Sequence, residues 1–165
     1  MDQFGIDTYL LVKYAHIISS TVLFGTGIGT AFQMVWAMRT DDPKTIADVS
    51  SGVVVADWIF TTPAGIVQPL TGFWLVWQAG YDPFEMWLVV TYALYILAFF
   101  CWAPVVVLQT KIRDFARRAD ETGTALPDLA RRAYFWWFLL GWPAFAGLIA
   151  VFWLMVTKPG LEFLA

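Results

Sequence analysis

Long apolar segments separated by shorter polar ones dominate this chain. Four mainly hydrophobic runs stand out, at residues 9–38, 53–79, 84–108 and 133–157. Each exceeds the roughly 20 residues that an α-helix needs to cross the hydrocarbon core of a bilayer. The runs lack the alternation of barrel strands, so helices are the predicted spanning elements. The pattern predicts an all-α fold, a single transmembrane domain folded as an integral membrane four-helix antiparallel bundle.

The polar segments between the runs predict how the helices are connected. Residues 39–52 form a polar connection in which Asp41-Asp42-Pro43 is suited to start a short interfacial helix. Residues 80–83 (GYDP) predict a tight turn, which makes the second and third spans an antiparallel hairpin. The stretch KIRDFARRADE predicts a helical extension of the third span, ended by Gly123 and Pro127.

The composition supports a membrane protein and excludes several other classes. Hydrophobic residues make up 59% of the 165 residues and charged residues 14%, whereas soluble domains average roughly half and a quarter. A soluble domain of this size cannot bury so much apolar surface, because much of its chain must face water. A single cysteine excludes a disulfide scaffold, and the net charge of −3 disfavours nucleic acid as a partner. The predicted surroundings are therefore a lipid bilayer.

The positions of the basic residues predict the orientation of the chain. With four spans, the connections at residues 39–52 and 109–132 share one side of the membrane, and that side carries eight of the ten Lys and Arg residues. The other side has only Lys13 and Lys158. Because cytoplasmic loops carry the excess of positive charge, both termini are expected outside, in the periplasm if the protein lies in a bacterial inner membrane.

The first span carries the candidate functional residues. Ionisable side chains inside a membrane are costly, so each is a functional candidate. Lys13 and His16 lie three residues apart on one helical face, which continues through Ser20 and Gly27. Lys13 is close enough to the membrane surface to extend its ammonium group towards water. Gly27 leaves room for a flat macrocycle if His16 binds one.

His16 is the only histidine, and two roles for it stay open. In the first role it donates a hydrogen bond to a neighbouring helix, where Thr71, Gln68 and Tyr95 lie at similar depth. In the second role it is an axial ligand to haem iron, since helix bundles commonly hold haem between facing helices. A lone histidine does not make a zinc site, which needs three or four ligands.

Other small and polar residues inside the spans have structural interpretations. Gly25 and Gly29 have the spacing of close helix packing, and their face suits a symmetric dimer. Asp57 begins the second span, where we expect it to cap the helix start or to form an ion pair with an arginine of the basic side. A part in a proton path is the third alternative. The arginines considered for this pair are Arg39, Arg113, Arg131 and Arg132.

Stretches along nearly the whole chain resemble a family of small four-helix bacterial membrane proteins whose function is unassigned. They are LVKYAHIISSTVLFGTGIGTAF, ADWIFTTPAGIVQPLTGFWL, CWAPVVVLQTKIRD and YFWWFLLGWPAFAGLIAVFWLMVTKP. This resemblance implies a four-helix membrane fold and carries no activity with it.

The segment from Lys13 to Ile18 (KYAHII), followed by small residues and glycines, is distantly similar to two further groups. It resembles the first helix of the membrane-bound bacterial protoporphyrinogen oxidase and of the copper-resistance D-type membrane domains. The resemblance to the oxidase implies haem b at His16, with Lys13 as partner for a propionate or substrate carboxylate. This chain has no second histidine, so the other axial ligand would be Met, Lys, Tyr, water or a second copy of the chain.

These observations lead to two hypotheses of function. The first is a small inner-membrane protein that binds haem b and has a redox or electron-transfer role. The second is a non-catalytic accessory or structural subunit of a larger membrane complex. We expect the visible spectrum of the purified protein to separate them.

Overall fold

A computed structural model describes residues 7–159 of the chain. The first helix, α1, spans Thr8–Thr40, and Asp7 caps it by accepting a hydrogen bond from the backbone amide of Tyr9. Asp41 ends the helix in a left-handed conformation (φ 55°). The residues of α1 are long and apolar enough to cross a membrane.

The next helix begins where the sequence predicts it. Asp42 accepts a hydrogen bond from the backbone amide of Thr45, and Pro43 occupies the first turn of α2, Pro43–Ala56. This helix does not end before the membrane, however. A π-helical turn at Asp57–Thr61 joins it directly to α3, Thr62–Gln78, so one continuous helical rod replaces the expected interfacial helix and separate span.

The second half of the chain is a long helical hairpin. Gly80, with a positive φ of 72°, lies in the turn that leads to α4, Met86–Thr122. At 37 residues, α4 is about 55 Å long and exceeds the roughly 30 Å hydrocarbon core. It ends at Gly123 in a left-handed conformation (φ 65°), and α5, Asp128–Thr157, follows Pro127. The predicted extension and its stop signals are confirmed.

The described residues therefore contain four helical rods that are long and apolar enough to cross a membrane. The rods are α1, the α2–α3 rod, α4 and α5. They pack together as an all-α bundle, which confirms the predicted fold class. The paired packing is uneven, since α1 lies mainly on α3, α4 lies mainly on α5, and α2 contacts both α1 and α4.

The tightest packing lies at one end of the bundle, which we call the basic end because the arginine-rich connections at residues 39–44 and 111–132 are there. Fully buried side chains from four helices meet at this end, including Met34, Ile46, Ile112 and Ala130. Away from the basic end, α1–α3 and α4–α5 form two layers with fewer contacts between them. The other end, which carries the turn at residues 80–84, is called the turn end.

Gly25 and Gly29 do not act as predicted within this chain. A Cβ atom added at either glycine would meet no other atom within 4 Å, so no neighbouring helix of the described chain packs closely there. Close approach occurs instead at Gly72 of α3, where an added Cβ would lie 3.3 Å from His16 Cε1. The tightest of these approaches is therefore at a glycine of α3 that faces α1, while Gly147 of α5 approaches the Leu94 carbonyl oxygen of α4 at 3.6 Å.

Candidate functional site

His16 joins α1 to α3 through its imidazole ring. Its Nδ1 lies 2.7 Å from the hydroxyl oxygen of Thr71. The Thr71 hydroxyl proton is directed to the carbonyl oxygen of Val67, 2.7 Å away, so the hydroxyl oxygen accepts from the ring. This assigns the proton of neutral His16 to Nδ1. The other nitrogen, Nε2, has no hydrogen-bond partner among residues 7–159.

Gln68 and Ser19 add further hydrogen bonds between α1 and α3 beside His16. The Gln68 side-chain amide donates to the His16 carbonyl oxygen (2.6 Å) and to Ser19 Oγ (2.5 Å). Ser19 is buried, and its hydroxyl donates to the His16 carbonyl oxygen at 3.1 Å. His16, Thr71, Gln68 and Ser19 thus form one polar network, the His16 network, between α1 and α3.

Ser19 takes the place that the sequence pattern assigned to Ser20. The Ser20 hydroxyl donates to the carbonyl oxygen of Ile17 within its own helix, at 2.8 Å. Both serines lie within one turn of His16, and helical spacing alone does not separate positions three and four residues away. Ser19, and not Ser20, joins the contact because its side of α1 packs against α3.

Lys13 and Gly27 do not lie together in one site with His16. Lys13 is exposed, and its ammonium group lies 5.9 Å from the centre of the Tyr9 ring. Gly27 is eleven residues further along α1 than His16, which is about 16 Å along the helix axis. It borders a cavity to which His16 does not contribute. The four predicted cofactor-binding residues are therefore spread over separate environments.

Asp57 forms the second buried polar network. It is 6% exposed and accepts hydrogen bonds from the Thr61 hydroxyl (2.8 Å) and from the side-chain amide of Gln109 on α4. The Gln109 carbonyl oxygen accepts in turn from the indole nitrogen of Trp137 on α5, at 3.3 Å. Asp57, Thr61, Gln109 and Trp137 form what we call the Asp57 network.

The two structural roles expected of Asp57 were wrong. It does not cap the start of a helix, because the π-helical turn continues the helical rod through it. It forms no ion pair among the described residues, where Arg131 pairs with Asp41 and Arg113 with Asp114. The amide of Gln109, 52 residues away in sequence, takes the place of the arginine.

Prolines inside the rods create polar backbone groups that side chains then satisfy. Pro69 has no N–H, so it leaves the carbonyl oxygen of Gly65 without its helical partner. The Tyr95 hydroxyl on α4 donates to that oxygen. Pro63 follows the π-helical turn that carries Asp57. The carbonyl group freed by Pro69 therefore connects α3 to α4.

A cleft of about 730 Å³ lies between the two helix layers. Its walls come from α1, the π-helical turn with α3, α4 and α5, and they are mainly apolar and aromatic. Asp57, Thr61, Gln109 and Trp137, the whole Asp57 network, also line it. Among its lining residues, all within the described part of the chain, there is no Lys, Arg or His.

Two buried side-chain polar atoms of residues 7–159, the Tyr92 hydroxyl oxygen and the Trp102 indole nitrogen, lack a hydrogen-bond partner. The indole nitrogen of Trp102 is buried and has no hydrogen-bond acceptor within residues 7–159. Trp102 lies on α4 between Tyr95 and Gln109, seven residues from each. Within the same residues, no three His, Cys, Asp or Glu side chains come close enough to hold a metal ion.

Sequence comparison gives a family and no activity. The family described as predicted integral membrane protein (DUF2269) matches residues 10–159. No curated protein and no solved structure matches the chain. The match extends over all four membrane-length rods and includes both polar networks. The chain belongs to the DUF2269 family of integral membrane proteins, a family of unknown function.

Proposed function

We propose that this protein holds a small membrane-soluble molecule in the cleft between the α1–α3 and α4–α5 layers. The observation that carries the proposal is a cavity of about 730 Å³ that reaches a buried carboxyl group, Asp57. Ligand sites in proteins commonly measure about 300–1,000 Å³ and combine apolar walls with a few polar groups. The cleft has this composition, with the Asp57 network as its main polar part.

The membrane setting explains why the molecule would be lipid-soluble. The cleft lies between rods that are apolar enough to cross a bilayer, so it is reached through hydrocarbon. Phe99, Phe138 and Phe145 line it and offer flat apolar surface. An ionisable residue at such a place is costly and marks a functional site by default. Asp57 is the residue to which this argument applies.

The proposal is tested by filling the cleft. Gly27 and Gly141 line it, and a Cβ atom added at either meets nothing within 4 Å. Gly141→Leu therefore occupies the cavity without a backbone clash. Gly52→Leu is the matched control, because Gly52 has the same open surroundings but lies on α2 away from the cleft.

The measurement uses the full chain in lipid nanodiscs with ¹⁵N-labelled tryptophan, titrated with 2,3-dimethylnaphthalene as an apolar probe. We expect saturable shifts of the indole signals of Trp137 and Trp142, both of which line the cleft. The shifts should persist in Gly52→Leu and disappear in Gly141→Leu. Shifts that never saturate, or that are equal in both variants, would show that the cleft is not a binding site.

A second candidate function, haem b binding at His16, is favoured by the geometry of the imidazole. Its Nδ1 donates to Thr71, and a metal-ligating histidine typically donates from its second nitrogen in this way. Nε2 is thereby left as the one imidazole nitrogen able to bind iron. When bound, haem b would supply one-electron redox chemistry.

Among the described residues, His16 offers one ring nitrogen that could bind the iron. No histidine lines the cleft. A haem at His16 would not lie against Gly27, because Gly27 borders a cavity that His16 does not line. His16 would hold the iron, and Thr71 would fix the orientation of the ring.

The visible spectrum of the full chain purified from haem-replete cells tests this second candidate. We expect a Soret band that His16→Ala abolishes. Thr71→Val, which keeps the ligand and removes its hydrogen-bond partner, should weaken haem retention by about 10–100-fold. A colourless, folded protein would contradict haem binding. Its stable co-purification with a larger membrane assembly would favour the accessory-subunit hypothesis.

We further propose that the protein lies in a bacterial inner membrane with both termini outside. The distribution of Lys and Arg supports this orientation, because the basic end carries eight of the ten.

A further inference from the structure

We propose that the molecule held in the cleft is an amphiphilic amine, bound with its ammonium group near Asp57 and its apolar body between the two helix layers. This inference rests on the proposed function of the cleft and specifies the chemistry of its ligand. The starting point is the charge of the walls. Asp57 lines the cleft, and no Lys, Arg or His of the described chain lines it with Asp57. A carboxylate in such surroundings is costly unless a cation pairs with it.

The hydrogen bonds of Asp57 do not supply this cation. The Thr61 hydroxyl donates to one carboxylate oxygen at 2.8 Å, and the Gln109 amide donates to the other. Both donors are neutral. Charge attraction acts over several ångströms where water is excluded, so an ammonium group in the cleft stabilises the carboxylate without displacing either donor.

The arginines of the basic end do not compensate the carboxylate of Asp57 from outside the cleft wall. Within residues 7–159, Arg131 pairs with Asp41 and Arg113 with Asp114. An acidic ligand group in the cleft would therefore be buried next to Asp57 without a cation. An ammonium group is the charged group that suits this wall.

The polar end of the cleft lies near one membrane surface. On α4 the lining residues run from Tyr95 to Gln109, which is about 21 Å along the helix. Tyr95 is near the middle of the apolar run at residues 84–108, whereas Gln109 is two residues before Lys111 of the basic end. The ammonium group of an amphiphile therefore reaches Asp57 from the membrane surface, and its apolar body extends towards the bilayer centre.

The aromatic walls suit both parts of such a molecule. Phe99, Phe138 and Trp142 line the cleft, and their side chains are roughly half-exposed. The faces of aromatic rings attract ammonium ions, and the same rings pack against apolar groups. An amphiphilic amine makes both kinds of contact, whereas a hydrocarbon makes only the second.

A matched pair of probes tests the inference on the full chain in lipid nanodiscs at neutral pH. The probes are N,N-dimethyl-2-naphthylmethylamine, which is a cation under these conditions, and 2-isobutylnaphthalene, in which a CH group replaces the nitrogen. Binding is read from the indole signal of Trp142, which lines the cleft but takes no part in the Asp57 network. This signal is assigned by its loss in Trp142→Phe.

We expect saturable shifts with both probes in the wild type. Asp57→Asn should weaken binding of the amine about 10–30-fold and leave binding of 2-isobutylnaphthalene unchanged. Combining Asp57→Asn with Gln109→Glu provides the matched control, because position 109 also lines the cleft and regains a carboxylate there. The double variant should recover most of the lost affinity for the amine.

The outcomes separate the identity of the ligand from the existence of the site. Saturable binding of the hydrocarbon alone, or equal effects of Asp57→Asn on both probes, would overturn the amine assignment. A double variant that binds the hydrocarbon normally but does not recover affinity for the amine would overturn it as well. If neither probe gives saturable shifts in the wild type, the binding function of the cleft itself fails.

Discussion

The Nδ1 atom of His16 lies 2.7 Å from Thr71 Oγ1 and donates its proton to that oxygen. This bond connects α1 to α3 through two residues that are 55 positions apart in sequence. It also fixes which nitrogen of the only histidine is free. The ring edge at Cε1 faces Gly72, so the tautomer and the position of the ring are both set by α3.

The Gly72→Ala variant should disturb this arrangement. The new methyl group would lie 3.3 Å from His16 Cε1, which is tighter than most Cβ contacts. The ring therefore has to shift by a few tenths of an ångström, which strains its hydrogen bond to Thr71. We expect a loss of about 1–3 kcal/mol in the free energy of unfolding. Reversible unfolding in mixed micelles, followed by circular dichroism, measures the change.

Gly52→Ala is the control for this variant. Gly52 also lies inside a helix, but an added Cβ meets nothing within 4 Å. Its replacement should be neutral or stabilise by about 0.5–1 kcal/mol, because alanine loses less backbone entropy on folding. If both variants changed stability equally, the contact between Gly72 and His16 would have no energetic weight.

Local signals in the sequence were enough to place three of the boundaries. Asp42-Pro43 starts α2, Gly123 ends α4 and Gly80 lies in the turn, because caps and turns depend on a few adjacent residues. The contact between His16 and Thr71 was also among the predicted alternatives, since helical depth can be counted along each span.

Features that depend on how helices rotate and separate could not be predicted. Ser19 and Ser20 differ by about 100° around α1, and only the packing against α3 decides which one is buried. The partner of Asp57 is an amide on α4 and not an arginine, which reflects the closeness of two helices. The cleft arises because the two layers diverge, a relation that no single segment encodes.

The Asp57 network can be tested by one substitution that lowers stability and a second that restores it. In Asp57→Asn, an NH2 group replaces one of the two carboxylate oxygens that accept from Thr61 and Gln109, so only one of these two donors keeps its acceptor. We expect a loss of about 1–3 kcal/mol in the free energy of unfolding. Adding Gln109→Glu supplies a carboxylate that accepts from both the new amide and Trp137.

The double variant should therefore regain most of the lost stability, as measured by a double-mutant cycle in micelles. The single variant Gln109→Glu is the control, because it places two carboxyl groups next to each other and should destabilise. Additive losses in the double variant would contradict the hydrogen-bond assignment of Asp57, Gln109 and Trp137.

Asp42 gives a dependence of stability on pH. The Thr45 hydroxyl, and then the Thr45 backbone amide, donate to its carboxylate and hold the pKa of Asp42 below its ordinary value. Because the folded pKa is lower than the unfolded one, the contribution to stability is complete above the unfolded pKa of about 3.9. It is lost as the pH falls from there through the folded pKa.

Comparison of wild type with Asp42→Asn between pH 6 and pH 2.5 tests this linkage. The amide still caps α2 but does not titrate, so the difference in unfolding free energy should shrink as the pH falls. A difference that stays constant over this range would show that the carboxylate bonds to Thr45 do not stabilise the charged form.

The orientation of the chain gives the last prediction. Eight of the ten basic residues lie in the connections at residues 39–52 and 109–132, and loops with such an excess stay in the cytoplasm. An alkaline phosphatase reporter fused after Ala165 should be active, since it needs the oxidising space outside the membrane. The same reporter inserted between Thr124 and Leu126, after the left-handed Gly123, should be inactive.

Changing Arg117, Arg118, Arg131 and Arg132 together to Gln should reduce the difference between the two fusions, because those changes remove half of the basic residues on that side. Activity at the internal site with an inactive C-terminal fusion in wild type would reverse the orientation and place the basic end of the bundle outside.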